Sequence, residues 1–381
     1  MQRLGVLGGT FDPIHLGHMH LAEKALASGR VDRVVFLPMG RPIHREPIAS
    51  PAQRLHFCRL ALEGKERLAL SEAGMAPGVR YTADTLPLLE KEFPGAKLVL
   101  LLGADKLQTL PQWSGADRLF ARCSFLIFPR QGIDAEKDAA RARQAGARVE
   151  LLDAETVAFS SSRIREEAAR YVDSPGLDRR VLCAMAEAGL YQENLLPRLK
   201  RMMNPHRFQH TLGVRGEAVR LADKYGAPIQ KAALAGLLHD CAKGMSQKEM
   251  EKTARKHHLI QEEALLSSGA LMHGPVGAYL AQTQFGVTDE DVLNAIRSHT
   301  IGRPGMSVLE LCIFVADATE PHREDYEGLA EIRALAAISL EAAALKSMQY
   351  TQAFLERTGR PFFPGVLETM RDLEKKIAAE A

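Results

Sequence analysis

Hydrophobic and polar positions follow two different grammars along this chain. In the first half, short apolar runs occur at Leu4–Leu7, Val34–Leu37, Leu98–Leu102 and Phe125–Phe128, with Val149–Leu152 as a fifth. Between them lie stretches such as HMHLAEKALAS and PAQRLHFCRLALE, where apolar residues recur at helical spacing. The short apolar runs read as strands. Their alternation with helices predicts an α/β doubly wound parallel sheet, whose ligands bind beyond the carboxyl ends of the strands. From about Leu199 the grammar changes. HTLGVRGEAVRLADKYG, IQKAALAGLLHDCAKG, PVGAYLAQTQFG and VLELCIFVADATE all carry helical patterns, with no strand pattern between them. An all-α second domain follows. The boundary is expected near NLLPRLK (194–200), where a proline interrupts, giving domains of residues 1–195 and 196–381.

Composition narrows the function classes. A chain of 381 residues accommodates two domains. With 49 basic and 47 acidic side chains, the net charge of +2 offers no general attraction for nucleic acid or membranes. The partners expected are therefore small molecules, and a homo-oligomer is compatible with the sequence. The five cysteines form no CxxC pair and no even framework, which suits a reducing, cytoplasmic location.

Residues 8–18, GGTFDPIHLGH, follow the first predicted strand. Gly8 and Gly9 let the backbone approach an anion closely. A helix expected to start near Leu16 or Gly17 would supply free N–H groups and a positive dipole end. His15 and His18 are about one helical turn apart, so both imidazoles can face one ligand. Each feature alone fits a surface turn; together they point to a bound polyphosphate. The stretch is neither a Walker loop nor GxGxxG. Further along, FSSSRIREE (159–167) places three serines before Arg165. Such serines commonly cap helices, but a guanidinium beside a hydroxyl-rich helix start is a natural clamp for β- and γ-phosphates.

These two stretches resemble the HxGH nucleotidyltransferases, a Rossmann-like superfamily, with Phe159 and Ser162 standing where the ISSTxIR element usually has Ile and Thr. YTADTL (81–86), GADKLQTLPQW (103–113), FPR (128–130) and RPIHRE (41–46) narrow the resemblance to bacterial nicotinate-nucleotide adenylyltransferase. Arg45 replaces the usual Lys, which keeps the charge and changes its geometry. The resemblance covers about residues 1–192. It implies transfer of AMP from Mg²⁺-bound ATP to nicotinate mononucleotide, with His15, His18 and Arg165 catalytic. Gly8, Gly9, Thr10, Phe11, His44, Arg45, Ser161 and Ser162 would also bind substrate. Thr82, Asp105, Trp113 and Arg130 would surround the mononucleotide, with the chain's one tryptophan as an aromatic plate. The nucleophile would be a phosphate monoester with a second pKa of about 6, already anionic at neutral pH, so no base is required. Alignment and charge stabilisation suffice.

In the second half, His210, His239-Asp240, His273, His299 and Asp317 stand out. The His-Asp pair falls in an apolar helical pattern, ALAGLLHDCA, where burial without partners would be costly. Imidazole and carboxylate without thiolate suit Fe, Mn or Mg rather than a closed structural zinc site. His257-His258, flanked by Lys, Arg and Glu, reads instead as a solvated helix face. His20, His44 and His56 carry no such pattern, although His44 lies in RPIHRE.

HRFQHTLGV, GLLHDCAKG, HGPVGAYL, RSHTIGRPGM and ADATEPHRE, in that order over residues 206–324, resemble the HD-domain phosphohydrolases that cleave diadenosine tetraphosphate symmetrically to two ADP. The resemblance extends over most of 197–375. It implies two metals, iron first with Mn or Mg also compatible, held by His210, His239, Asp240, His273, His299 and Asp317. Asp240 and Lys243 would be catalytic, with Lys243 and Arg323 on phosphate. A metal pair can activate water and clamp the attacked phosphoryl group with its leaving group. The residues leave rivals open. The first domain could adenylate or cytidylate another phosphate, such as phosphopantetheine. The second could hydrolyse guanosine tetraphosphate or a deoxynucleotide, or sense nucleotides without turnover.

Overall fold

A computed structural model describes residues 1–42, 46–130, 132–152, 159–192, 195–266 and 268–380. It divides into two compact units. One comprises Met1–Glu166 with Ser174–Leu182, the other Glu167–Asp173 with Cys183–Ala381.

The first unit is built on a parallel sheet: β1 (Arg3–Gly9), β2 (Arg33–Pro38), β3 (Leu68–Leu70), β4 (Lys97–Gly103), β5 (Cys123–Phe128) and β6 (Arg148–Leu151). Their spatial order is β3-β2-β1-β4-β5-β6, all neighbours parallel. Helices α1 (Leu16–Ala27), α2 (Pro51–Leu62), α3 (Leu86–Glu92), α4 (Ala116–Arg122), α5 (Ala135–Gln144) and α6 (Ser161–Ala169) follow the strands. The strand interiors are apolar without interruption; Leu4, Val6, Phe36, Leu37, Leu100 and Phe125 are all buried. That is the signature of a sheet covered on both faces. The order reverses between β1 and β4, and the loops leaving these strands flank the crevice where such sheets take ligands. GGTFDPIHLGH leaves β1 and GADK leaves β4. The edge strand β3 was not predicted; with three residues it is too short to display a period.

The second unit is helical among its described residues: α7 (Arg179–Ala188, entering from the first unit at Cys183), α8 (Leu195–Met202), α9 (Pro205–Tyr225), α10 (Ile229–Leu238), α11 (Gln247–Lys256), α12 (Glu263–Leu266), α13 (Gly269–Phe285), α14 (Glu290–Ser298), α15 (Val308–Thr319), α16 (Leu329–Ala336), α17 (Leu340–Arg357) and α18 (Gly365–Glu380). Pro197 sits in the first turn of α8, where its missing N–H costs no helical bond, so the proline does not break this segment. Asn204 caps α9, its side chain accepting from Arg207 N at 2.8 Å, with Pro205 next. That start fixes His206, Arg207 and His210 in the first turns of α9. The start of α10 is capped from a distance: Asp173 accepts from Ile229 N at 2.9 Å and Gln230 N at 2.8 Å. A capping box of Ser307 and Glu310 opens α15, whose residues Leu309–Ala316 are all buried. No helix among the described residues is long and apolar enough to cross a membrane.

Candidate functional site

Each unit brings together one group of the expected residues. In the first, His15 caps α1 with extended backbone, and its N–H donates to His18 Nδ1 at 3.2 Å. An accepting Nδ1 puts the His18 ring proton on Nε2. The two rings lie 3.7 Å apart between centroids. Gly17 permits this, since a Cβ there would stand 2.9 Å from the His15 ring. Burial, with the nearby Arg130 charge, lowers His15 to about 4. Burial and the charges of His15 and Arg130 push His18 well below its usual value. Both imidazoles are thus neutral donors at pH 7, not standing cations.

Around them, Arg130 approaches Asp105 at 3.5 Å, so FPR and GADK meet near the histidines. Arg165 is buried. It donates to Asp12 O at 2.5 Å and to Ser162 Oγ at 3.0 Å. Ser161 Oγ donates to Pro13 O at 3.0 Å. The FSSSR element therefore fastens the Asp12-Pro13 stretch from behind. Gly8 faces open space, with nothing within 4 Å of where a Cβ would stand. Thr10 offers its carbonyl to a buried arginine rather than to solvent. Phe11, expected among the substrate contacts, is 2% exposed; its ring packs against His18 and Phe36 and supports the site from within. A Cβ on Gly9 would crowd that ring, standing 3.1 Å from its nearest carbon. Thr82 begins a short turn of 3₁₀ helix, and Trp113 is half-buried against the sheet core with Nε1 donating to Thr109 Oγ1 at 3.3 Å. His44 and Arg45 lie outside the described residues.

In the second unit, five elements aim side chains at one point: His210 from α9, His239 and Asp240 after α10, His273 from α13, His299 at the end of α14, and Asp317 from α15. His239-Asp240 does not lie within a helix as its apolar pattern predicts. α10 ends at Leu238, and the next residues turn with bonds from Cys241 N to Leu238 O and Lys243 N to Asp240 O. Asp240 Oδ1 stands 3.6 Å from His239 Nε2, 3.5 Å from His273 Nε2 and 3.7 Å from His299 Nε2. Asp317 Oδ1 stands 3.0 Å from His210 Nε2 and 3.8 Å from His239 Nε2. His273 and His299 oppose their Nε2 atoms at 3.0 Å. The other ring nitrogens fix the tautomers: Nδ1 of His239 donates to Gly236 O at 2.7 Å, and Nδ1 of His299 to Ile296 O at 2.7 Å. Their Nε2 lone pairs consequently converge with carboxylate oxygens, a repulsive arrangement unless cations sit among them.

Burial keeps His239 near 4 and His273 near 3, so both are neutral ligands at pH 7. For Asp240 burial opposes ionisation, but His239, His299 and Lys243 outweigh it and hold the carboxyl well below the usual range. His210 and His239 do the same for Asp317. His239 Nε2 is buried without a hydrogen-bond partner. Two donor groups, His210/His239/Asp317 and His239/Asp240/His299, each gather their ligand atoms within 4.8 Å. The donor set fits hard or borderline cations bound by nitrogen and oxygen. It opens into a cavity of about 1000 Å³ that also holds Arg207, Lys243, Arg323, Tyr326 and Phe354. Lys243 Nζ lies 2.9 Å from Asp240, and Arg323 lies 3.5 Å from Asp317.

The chain matches the cytidylyltransferase-like family model over residues 6–167 and the HD-domain model over residues 207–322. It is 37% identical over 190 residues to a probable nicotinate-nucleotide adenylyltransferase of Synechococcus sp. (strain JA-3-3Ab), covering 46% of this chain and 90% of that protein. It is 41% identical over 178 residues to a symmetrical bis(5'-nucleosyl)-tetraphosphatase of Bacillus subtilis, covering 47% of this chain and 95% of that one. The chain belongs to both families. A probable nicotinate-nucleotide adenylyltransferase/Ap4A hydrolase of Mycoplasma genitalium, 28% identical over 360 residues, matches 92% of this chain and 98% of its own length. The HD match brings divalent-metal binding with it.

Several residues that hold these sites together escaped the sequence reading. In the adenylyltransferase half, Arg54 is fully buried. It donates to Thr10 O at 2.7 Å, Met39 O at 2.7 Å and Gly40 O at 2.9 Å. The Asp12 carboxylate accepts from Ile48 N and Ala49 N, each at 3.0 Å. Together they tie the first loop to the segments on either side of the RPIHRE stretch. In the tetraphosphatase half, Glu320 is 1% exposed, and its Oε1 accepts from His210 Nδ1 at 3.1 Å. Its Oε2 accepts from His322 N at 2.7 Å, and a Cβ on Gly213 would collide with it. His210 is thereby oriented by a carboxylate, where His239 and His299 use backbone carbonyls. Glu320 and Arg207 both lie inside quoted motifs, at ATEP and HRFQH, but no spacing rule singles them out.

Proposed function

We propose that residues 1–195 transfer AMP from ATP to nicotinate mononucleotide, giving deamido-NAD and pyrophosphate, and that residues 196–381 hydrolyse diadenosine tetraphosphate symmetrically to two ADP. The observation that carries the first reading is the neutral His15–His18 pair at the rim of β1, beside Arg130. The anionic phosphate monoester needs no base. The chain aligns it with the α-phosphate and offers hydrogen bonds to developing charge. His18 Nε2–H is one such donor and His15 another, and a bound triphosphate, arriving with Mg²⁺, draws both towards the protonated form. Arg165, whose guanidinium bonds Asp12 O and Ser162 Oγ, would exchange these partners for the β- and γ-phosphates. Asp105 suits sugar hydroxyls as an acceptor, and Trp113 suits the pyridine face. Thr82 and Arg130, with His44 and Arg45 of the RPIHRE stretch, would supply the remaining substrate contacts.

The second reading rests on the two donor groups sharing His239. His210, His239, Asp240, His273, His299 and Asp317 hold a metal pair, iron before Mn or Mg. When bound, such a pair supplies Lewis-acid activation of water and of the phosphoryl oxygen. The chain's own cations complete the site. Lys243 and Arg323, already paired to the ligand carboxylates, are in place to bind the bridging phosphates, and Arg207 stands 3.8 Å from Asp240. A cavity of about 1000 Å³ accommodates a dinucleotide.

The test is product chromatography on the whole purified chain. ATP with nicotinate mononucleotide should give deamido-NAD and pyrophosphate; absence of product with that acceptor, and turnover of phosphopantetheine instead, would sink the first reading. Diadenosine tetraphosphate should give ADP alone. ATP plus AMP, or intact substrate, would sink the second.

A further inference from the structure

The turn after α10 borders two cavities. Asp240 and Lys243 face the large one already described, whereas Cys241, Gly244 and Met245 line a second groove of about 570 Å³. Its long walls are α11 and α13. The residues that α11 presents, from Glu249 through Lys252 and Thr253 to Lys256, recur at the spacing of one helix face, while Met250 and Ala254 anchor the helix in the core.

We propose that this groove is a binding site for a nucleoside diphosphate, separate from both active sites. The first observation is charge. Arg255 is neutralised by Glu251 and Glu263. Lys252 and Lys256, one turn apart on the groove face, have no acidic partner among the described residues. The one carboxylate in the groove, Glu249, is occupied by Ser246 N at 2.8 Å and Ser246 Oγ at 2.7 Å. Two free ammonium groups one turn apart suit a phosphate chain. The second observation is aromatic. His257 is exposed, as its charged neighbours predict, yet it makes a defined aromatic contact. Its ring stacks on Tyr279 with centroids 4.4 Å apart, and its Nε2 meets Tyr279 OH at 3.0 Å. This pair lines the groove alongside the apolar Met245 and Leu280. A planar base fits such a wall. An inorganic anion would leave the aromatic wall unused, and an apolar ligand would leave the lysines unpaired. The volume lies within the roughly 300–1,000 Å³ of small-molecule sites. The groove is built into the fold: Gly244 passes so close to Met202 that a Cβ would stand 2.5 Å from its carbonyl oxygen.

Equilibrium dialysis of the whole chain with radiolabelled ADP tests the site. The wild type should bind one equivalent more per chain at saturation than the Lys252→Ala/Lys256→Ala variant, and the Lys252→Arg/Lys256→Arg variant should recover it. Both proposed activities should be unchanged in the alanine variant, so this test does not depend on their assignment. Equal stoichiometry in wild type and alanine variant overturns the site. Photolabelling with 8-azido-ADP gives a second readout: modification within residues 279–284, on the groove side of α13, is expected, and labelling confined to other residues overturns the proposal.

Discussion

The two halves use histidine for opposite purposes. In the first, His15 and His18 share one turn, and their rings stack within one local loop. In the second, four histidines come from separate elements and meet only through tertiary packing. The local pair has His18 Nδ1 occupied by backbone, so it presents a proton to its ligand. The assembled set has Nδ1 of His239 and His299 occupied by carbonyls, so it presents lone pairs. One set is built to donate hydrogen bonds, as the proposed phosphate site needs, and the other to offer lone pairs, as the proposed metal site needs. The difference lies in which ring nitrogen the scaffold takes.

The largest break of this comparison is Asp240→Asn. Asp240 faces three imidazoles and Lys243, so its loss removes a carboxylate that all four share. Tetraphosphate hydrolysis should fall by about 10³-fold or more, with metal content reduced and adenylyl transfer unchanged. Elemental analysis beside both assays checks this; full metal content with full hydrolysis would remove Asp240 from the site. Next comes His18→Ala, which removes a donor without emptying the core. Adenylyl transfer should drop by about 10²–10³-fold while the melting transition and hydrolysis persist. Near-normal turnover would contradict a donor role.

Glu320→Gln sharpens the contrast within the lone-pair set. Gln keeps an oxygen for His210 Nδ1 but sets an amide against the N–H of His322, which Oε2 now accepts. Metal affinity should weaken by about 10–100-fold, read by titration of the metal-free protein. Unchanged affinity would mean that Glu320 only packs.

How far the two sites could be read from sequence follows the same division. GGTFDPIHLGH is contiguous, so its helix start and paired histidines were visible from spacing. The helical cluster is dispersed over more than a hundred residues, so spacing alone could not join it; the resemblance of its motif strings named the six residues, and the distances between them required packing. Even then the His239-Asp240 pair was placed inside a helix, because ALAGLLHDCA carries no stop signal; the helix ends through side-chain and backbone bonds that no residue type announces. Arg54 was invisible for a related reason. In PAQRLHF it occupies a polar position of an amphipathic pattern, yet its guanidinium is buried on carbonyls from distant loops. The charge state of His15 and His18 was also beyond reach, since burial decides it.

The titration of the metal-free protein breaks the comparison by pH. His15 and His239 near 4 and His273 near 3 lie below the ordinary imidazole value of about 6.5 in an unfolded chain. Each therefore contributes stability that is complete above pH 6.5 and is lost as pH falls towards its folded value. By pH 5 the loss is on the order of 2 kcal/mol per imidazole. His210 runs the other way: Asp317 and Glu320 overcome its burial and raise it, so its contribution is present below 6.5 and lost above its folded value. Chemical denaturation between pH 7 and 5 should show falling midpoints in the metal-free protein. A flat profile would place the imidazoles in contact with water.

The smallest expected effect lies at Trp113, the single tryptophan. Its ring packs on the sheet core along one side, and its Nε1 is held by Thr109, so the plate is fixed before any ligand arrives. Trp113→Phe keeps an aromatic face while losing area and that hydrogen bond. An aromatic contact is worth about 0.5–1.5 kcal/mol beyond its area, so KM for the mononucleotide should rise by roughly tenfold or less with kcat preserved. The same residue reports on itself: nicotinate mononucleotide should change the fluorescence of the wild type, because no other indole exists to obscure it. If the emission is indifferent to saturating mononucleotide, Trp113 belongs to the core alone and the pyridine ring finds its platform elsewhere.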